Sequence, residues 1–163
     1  MAKQIWGIDG NSLVWTVTDG QIHYDDIEMS GLYTDFWIKY GVDGEGRLSL
    51  DYKCYFPALR TIPNNTHATY HFDVSNAERP RITVDGLAVD EYPKEFSFDG
   101  VLTVKSTTDK GFSTERRLFP SIDSSNCIEL ITVRAEREVE LELSVESGHI
   151  HSFGRGTKGV YVS

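Results

Sequence analysis

Long apolar runs are missing from this sequence. None approaches the roughly 20 residues that a membrane-spanning helix needs, so no membrane span is expected. Positive charge is scarce: 16 Lys and Arg stand against 25 Asp and Glu, a formal net charge of −9. Such a balance repels phosphate, which argues against nucleic acid and anionic membrane surfaces as partners. Cysteine is nearly absent. Cys54 and Cys127 are the only two, which is no disulfide framework, and two buried free thiols are the expected state. The opening Met1-Ala2-Lys3-Gln4-Ile5-Trp6 lacks the apolar centre of a signal peptide. The expected location is the cytoplasm, or the periplasm or exterior if a leader has been removed.

Helical periodicity is lacking too, and strand periodicity fills the gap. From Leu48 to Phe56 the even positions Leu48, Leu50, Tyr52, Cys54 and Phe56 are apolar, and Ser49, Asp51, Lys53 and Tyr55 fall between them. That is a strand with one wet face. Thr66 to Val74 repeats it, with Ala68, Tyr70, Phe72 and Val74 expected inside. Val139, Leu141, Leu143 and Val145 alternate with Glu138, Glu140 and Glu142. A glutamate row on a wet face predicts Lys or Arg on the neighbouring strand.

Turn signals separate the strands. Asp85-Gly86 between two apolar runs predicts a type I′ hairpin, which needs positive φ at both central residues. Asp43-Gly44-Glu45-Gly46, Asp99-Gly100 and Asp109-Lys110-Gly111 serve the other connections. Pro57, Pro63, Pro80, Pro93 and Pro120 all fall at expected strand ends, where a missing N–H does least harm. Short strands with regular turns predict an all-β fold, an antiparallel β-sandwich. The 163 residues suit a single domain spanning 1–163. The chain stops three residues into a strand-like Val160-Tyr161-Val162, so a domain cut from a longer protein is expected.

Residues that could carry chemistry are few. His149 and His151 share a strand face but no sequence neighbour supplies a third ligand, and no metal site is expected. Asp26 and Glu28 also share a face, yet solvated acids in a connection account for them, and no catalytic pair is assigned. Asp90-Glu91 reads the same way. No nucleophile motif and no phosphate-cradling loop is present, so no cofactor is expected.

Aromatics are the richer signal, at 12% of the chain. Sugars dock on exposed rings flanked by polar groups. In the stretch Tyr33–Lys39 both faces carry apolar or aromatic side chains, so either Tyr33 and Trp37 or Phe36 and Ile38 turn outward. Tyr55, on the polar phase of its strand, is the best single candidate for exposure. Arg60, Asn64, Asn65 and His67, around the turn-forming Pro63, form a donor-rich loop suited to sugar hydroxyls or to a partner domain's carbonyls.

Four strings stand out: Ile27-Glu28-Met29-Ser30-Gly31; Tyr40-Gly41-Val42-Asp43; Arg60-Thr61-Ile62-Pro63-Asn64-Asn65-Thr66-His67; and Arg116-Arg117-Leu118-Phe119-Pro120-Ser121, followed by Cys127-Ile128-Glu129-Leu130. Together they resemble the amino-terminal β-sandwich, or supersandwich, of bacterial six-hairpin (α/α)6 glycoside hydrolases, over roughly residues 6–146. The resemblance implies a non-catalytic accessory domain that packs against an (α/α)6 catalytic domain of the same polypeptide. It also implies a carbohydrate substrate for the whole enzyme, with acid and base in the helical barrel. The alternative from another class is a free-standing carbohydrate-binding module.

Overall fold

The computed structural model describes residues 5–56, 70–76 and 79–144, with the side chains of 70–72 excepted. Among these residues there is no helix. The strands run β1 (Gly7–Asp9), β2 (Ser12–Thr16), β3 (His23–Ser30), β4 (Asp35–Val42), β5 (Leu48–Phe56) and β6 (Tyr70–Val74). They continue as β7 (Arg81–Val84), β8 (Leu87–Ala88), β9 (Glu91–Phe98), β10 (Leu102–Thr108), β11 (Ser113–Pro120), β12 (Cys127–Arg134) and β13 (Leu141–Ser144). All pairings are antiparallel. The fold is all-β, as the alternation predicts.

Three sheets form: β1-β2-β9-β10-β11-β12, β3-β4-β5-β6 and β13-β7-β8. The six-stranded and four-stranded sheets bury a common core, as two inward faces of alternating apolar residues must. Phe36, Ile38, Tyr40, Leu50, Tyr52 and Cys54 enter it from one side, and Trp15, Phe96, Leu102, Val104 and Leu118 from the other. Trp15 stacks on Phe96 with centroids 4.5 Å apart, and Tyr40 crosses from the opposite sheet to within 5.4 Å of the same ring. A smaller cluster of Ile82, Val84 and Phe112 lies beneath the three-stranded sheet.

Local chemistry fixes the connections. Asp85 and Gly86 adopt φ of 51° and 75°, the two positive values a type I′ turn demands. The Asp43 carboxylate accepts the backbone N–H groups of Glu45 and Arg47 at 2.9 and 2.8 Å, locking the β4–β5 turn. Burial alone would raise the Asp43 pKa, but these N–H donors and the Arg47 guanidinium hold it below the usual range.

One expectation about the strands needs correction. Pro93 lies inside β9, not at its end. The ladder to β10 shifts register between Lys105 and Ser106, opposite Pro93, while β2 pairs with β9 only from Glu95 to Phe98. A bulge and an unpaired flank leave no ladder bond for the missing N–H to break. The glutamate row of β13 has its basic residue diagonally placed: Arg81 of the adjacent β7 stands opposite Ser144, on the face of Thr83. Glu142 stands opposite Thr83, whose hydroxyl donates to its carboxylate at 3.3 Å. Leu141 and Leu143 of that strand are exposed, since β13 is an edge strand. Of the Thr66–Val74 pattern, Val74 is buried and Asp73 exposed as expected, and the rest lies outside the described side chains.

Gly41 shows how tightly β3 and β4 are fitted. A Cβ there would run into the His23 carbonyl oxygen and sit 2.8 Å from the Tyr24 Cα, both backbone. The absent side chain lets the Tyr24 ring lie across β4. Gly41→Ala is therefore expected to cost about 1–3 kcal/mol, read as a lower urea midpoint with an unchanged slope.

Candidate functional site

The outward face of the four-stranded sheet carries the arrangement with most chemical meaning. Phe36, Ile38, Tyr40 and Val42 of β4 all point into the core, so Trp37 on the other phase must point out. In β5 the same rule sends Tyr52 and Cys54 in and Tyr55 out. Of the two options for the Tyr33–Lys39 stretch, Phe36 and Ile38 are therefore the buried pair.

Strand register then assembles the face row by row. One row is Glu28, Trp37, Lys53 and Asp73. The next is Ser30, Asp35, Tyr55 and the backbone position of His71. The row on the other side is Asp26, Lys39 and Asp51, and beyond it come Tyr24, Gly41 and Ser49. Trp37 and Tyr55 are thus diagonal neighbours on adjacent strands, a spacing of roughly 7–8 Å. Both are half-buried, with polar side chains on every side. Tyr24 is 44% exposed, with the Lys39 Nζ 5.9 Å from its ring centroid.

Charges on this face are held in place. Lys53 lies 3.5 Å from Asp73, and Asp51 accepts the Asn76 N–H at 2.6 Å. Acceptors and ammonium donors therefore surround the two rings in a fixed pattern. Such a surface can stack an apolar ring face and hydrogen-bond hydroxyls at its edge.

Beneath it, where the four-stranded and three-stranded sheets meet, lies a cleft of about 340 Å³ lined by Asp43, Arg47, Asn76, Arg79 and Arg81. Its floor is a buried ion network. Arg116 of β11 is 1% exposed. Its Nε donates to both Glu91 carboxylate oxygens at 3.0 and 3.1 Å, and its Nη2 to Glu91 Oε2 at 2.7 Å and to the Pro80 carbonyl at 3.1 Å. Its Nη1 donates to Glu129 of β12. Arg79 reaches Glu91 from the other side at 3.1 Å, and the Thr114 hydroxyl adds a bond of 2.7 Å. Tyr52 of β5 donates its hydroxyl to Glu129 at 3.3 Å. Two guanidinium groups balance two carboxylates, and the network joins the six-stranded and four-stranded sheets to the segment that leads into β7.

Burial alone would raise the Glu91 pKa. The guanidinium of Arg116, its hydrogen bonds and Arg79 outweigh burial and hold the group at about 2 instead of 4.5. Burial pushes the Arg79 pKa down, reinforced by the neighbouring Arg116. Glu91 thus stays ionised and offers no proton for general acid chemistry near neutrality. Because its folded pKa is depressed, ionised Glu91 stabilises the fold fully above pH 4.5, and that contribution fades as pH falls towards 2. It is on the order of 3 kcal/mol. Urea midpoints measured from pH 6 to pH 2 are expected to fall steeply for the parent chain. Glu91→Gln is expected to start lower and fall less.

The residues singled out in the sequence fare differently. Tyr55 is on the outward face beside Trp37. Arg60, Asn64, Asn65 and His67 lie outside the described residues, as do His149 and His151. Asp26 and Glu28 share the outward face of β3 and are exposed. Among the described residues no group of three metal-binding side chains occurs. Glu91, expected with Asp90 as a solvated acid in a connection, is instead 3% exposed at the start of β9, because two guanidinium groups neutralise it there. Arg116 carries a role that the sequence does not assign it. Its signal was phase: it alternates with Thr114 and Leu118, both buried, while Arg117 turns out. No helix among the described residues is long and apolar enough to cross a membrane. No protein-family model, curated protein or solved structure matches this chain.

Proposed function

We propose that this chain is a non-catalytic β-sandwich domain of a carbohydrate-active enzyme, and that the outer face of its four-stranded sheet meets carbohydrate. The observation that carries this reading is the diagonal pair Trp37 and Tyr55, set on a regular sheet between charged rows. A pyranose has an apolar C–H face and an equatorial girdle of hydroxyls. The first stacks on an aromatic ring, and the second is met by Glu28, Asp35, Lys53 and Asp73.

The partner in this reading is an (α/α)6 catalytic domain of the same polypeptide, which supplies the acid and base. The four strings that resemble six-hairpin glycoside hydrolases support it. So does an apolar end of the sandwich. There the β3–β4 turn meets the β11–β12 connection so closely that a Cβ added at Gly31 would come within 3.0 Å of both the Pro120 Cβ and the Ser121 carbonyl oxygen. Leu32 and Ile122, carried by these two segments, are 75% and 86% exposed, a surface suited to covering by another domain. A free-standing binding module is the second reading, favoured by the presence of both Trp37 and Tyr55 on one face of this chain.

Calorimetric titration of the chain with neutral α- and β-linked oligosaccharides tests the proposal. Saturable heat that Trp37→Ala removes supports it. Heat that is unchanged in Trp37→Ala would assign sugar contact to another surface, and an inert response to every sugar would sink the carbohydrate reading.

A further inference from the structure

Cys54 and Cys127 are far apart in sequence and sit on facing sheets, Cys54 on β5 and Cys127 on β12. Both are free. Their register is set independently of sulfur. The Tyr52 hydroxyl bonds to Glu129 across the core at 3.3 Å. Two residues onward along β5 is Cys54, and two residues back along β12 is Cys127. Side chains two apart share a strand face, so Cys54 and Cys127 point into the same core as Tyr52 and Glu129, which touch there. Cys127 packs against the same buried cluster that holds Cys54. Cys54 is fully buried, and Cys127 packs on the core from its partly open edge.

We propose that Cys54 and Cys127 are a thiol pair that closes into an inter-sheet disulfide by exchange with a low-molecular-weight disulfide. Cys127 is the entry thiol because it alone is partly exposed. Its thiolate attacks one sulfur of the small disulfide, a protein–small-molecule S–S bond forms, and one small thiolate leaves. Cys54 then loses its proton and attacks the Cys127 sulfur, and the second small thiolate leaves. Two protein thiols are oxidised to one disulfide and one small disulfide is reduced to two thiols, which take up the two protons released. Burial, and then the contact with Cys127, pushes the Cys54 thiol well above its ordinary range, so the second displacement is the slow step. The product bolts β5 to β12 and closes a long loop, raising the melting temperature by on the order of 10 °C.

The test is to incubate the folded chain with oxidised glutathione at pH 8, remove excess reagent, and measure intact mass, free thiols in denaturant and melting temperature. The expected result is a monomer lighter by two hydrogens, with no free thiol and a higher melting temperature that reverts on reduction. In Cys54→Ala the glutathione adduct on Cys127 is expected to persist. Parent chain that keeps both thiols, that stops at the glutathione adduct, or that is oxidised only into covalent dimers would overturn the proposal.

Discussion

Arg116→Met is expected to destabilise the chain by about 3–5 kcal/mol, the usual result of removing one partner from a buried ion network. The variant leaves Arg79 facing Glu91 but strips Glu129 of its Arg116 guanidinium contact, with the carboxylate still largely buried. The uncompensated charge, more than the lost attraction, sets the size of the effect. Two consequences separate this account from simple loss of packing. Adding Glu129→Gln to Arg116→Met is expected to restore part of the stability, since the amide still accepts from Tyr52 without carrying charge. Glu129→Gln alone is expected to destabilise, because it leaves Arg116 with one anion instead of two. Urea unfolding of the four proteins by circular dichroism gives the coupling directly. Additive losses would contradict the network.

This network shows where sequence reading succeeds and where it stops. Alternation is a local signal, and it gave β5 its inside and outside residue by residue, because one face of that sheet is apolar and the other polar. The Asp85-Gly86 turn was equally legible, since few residue pairs tolerate positive φ twice running. The strand Asp35–Val42 was ambiguous only around Trp37, where aromatics occupy both phases. Reading on to Tyr40 and Val42 resolves it. What alternation does not contain is the pairing of sheets. Arg116, Glu91, Glu129 and Arg79 come together from four different segments, and no spacing along the chain links them. Pro93 was misplaced for the same reason. Its neighbours permit a proline inside β9 only because β10 shifts register opposite it and β2 has already ended. The proposed sugar-facing surface lay between these limits: Tyr55 was legible from phase, but its neighbour Trp37 became its partner only through the β4–β5 register.

Trp37→Ala and Tyr55→Ala are each expected to weaken saccharide affinity at least roughly tenfold, equivalent to about 1.4 kcal/mol, with the double variant below detection. Neither ring belongs to the buried core shared by the two main sheets, so both variants are expected to melt within a few degrees of the parent chain. The control on the opposite side is Leu13→Ala. It sits on an exposed position of β2, far from the outward rows of β3 to β6, and is expected to leave affinity unchanged. Lys53→Met tests the polar rim. It removes the ammonium beside Trp37 and is expected to reduce affinity while sparing the stacking contribution.

The most direct measurement is the heat of titrating one tight-binding neutral oligosaccharide into the parent chain and into Trp37→Ala, both confirmed folded by circular dichroism. The account predicts saturable binding by the parent chain and its loss in the variant. Binding of equal strength by both proteins, or by neither across the full set of sugars, would contradict it.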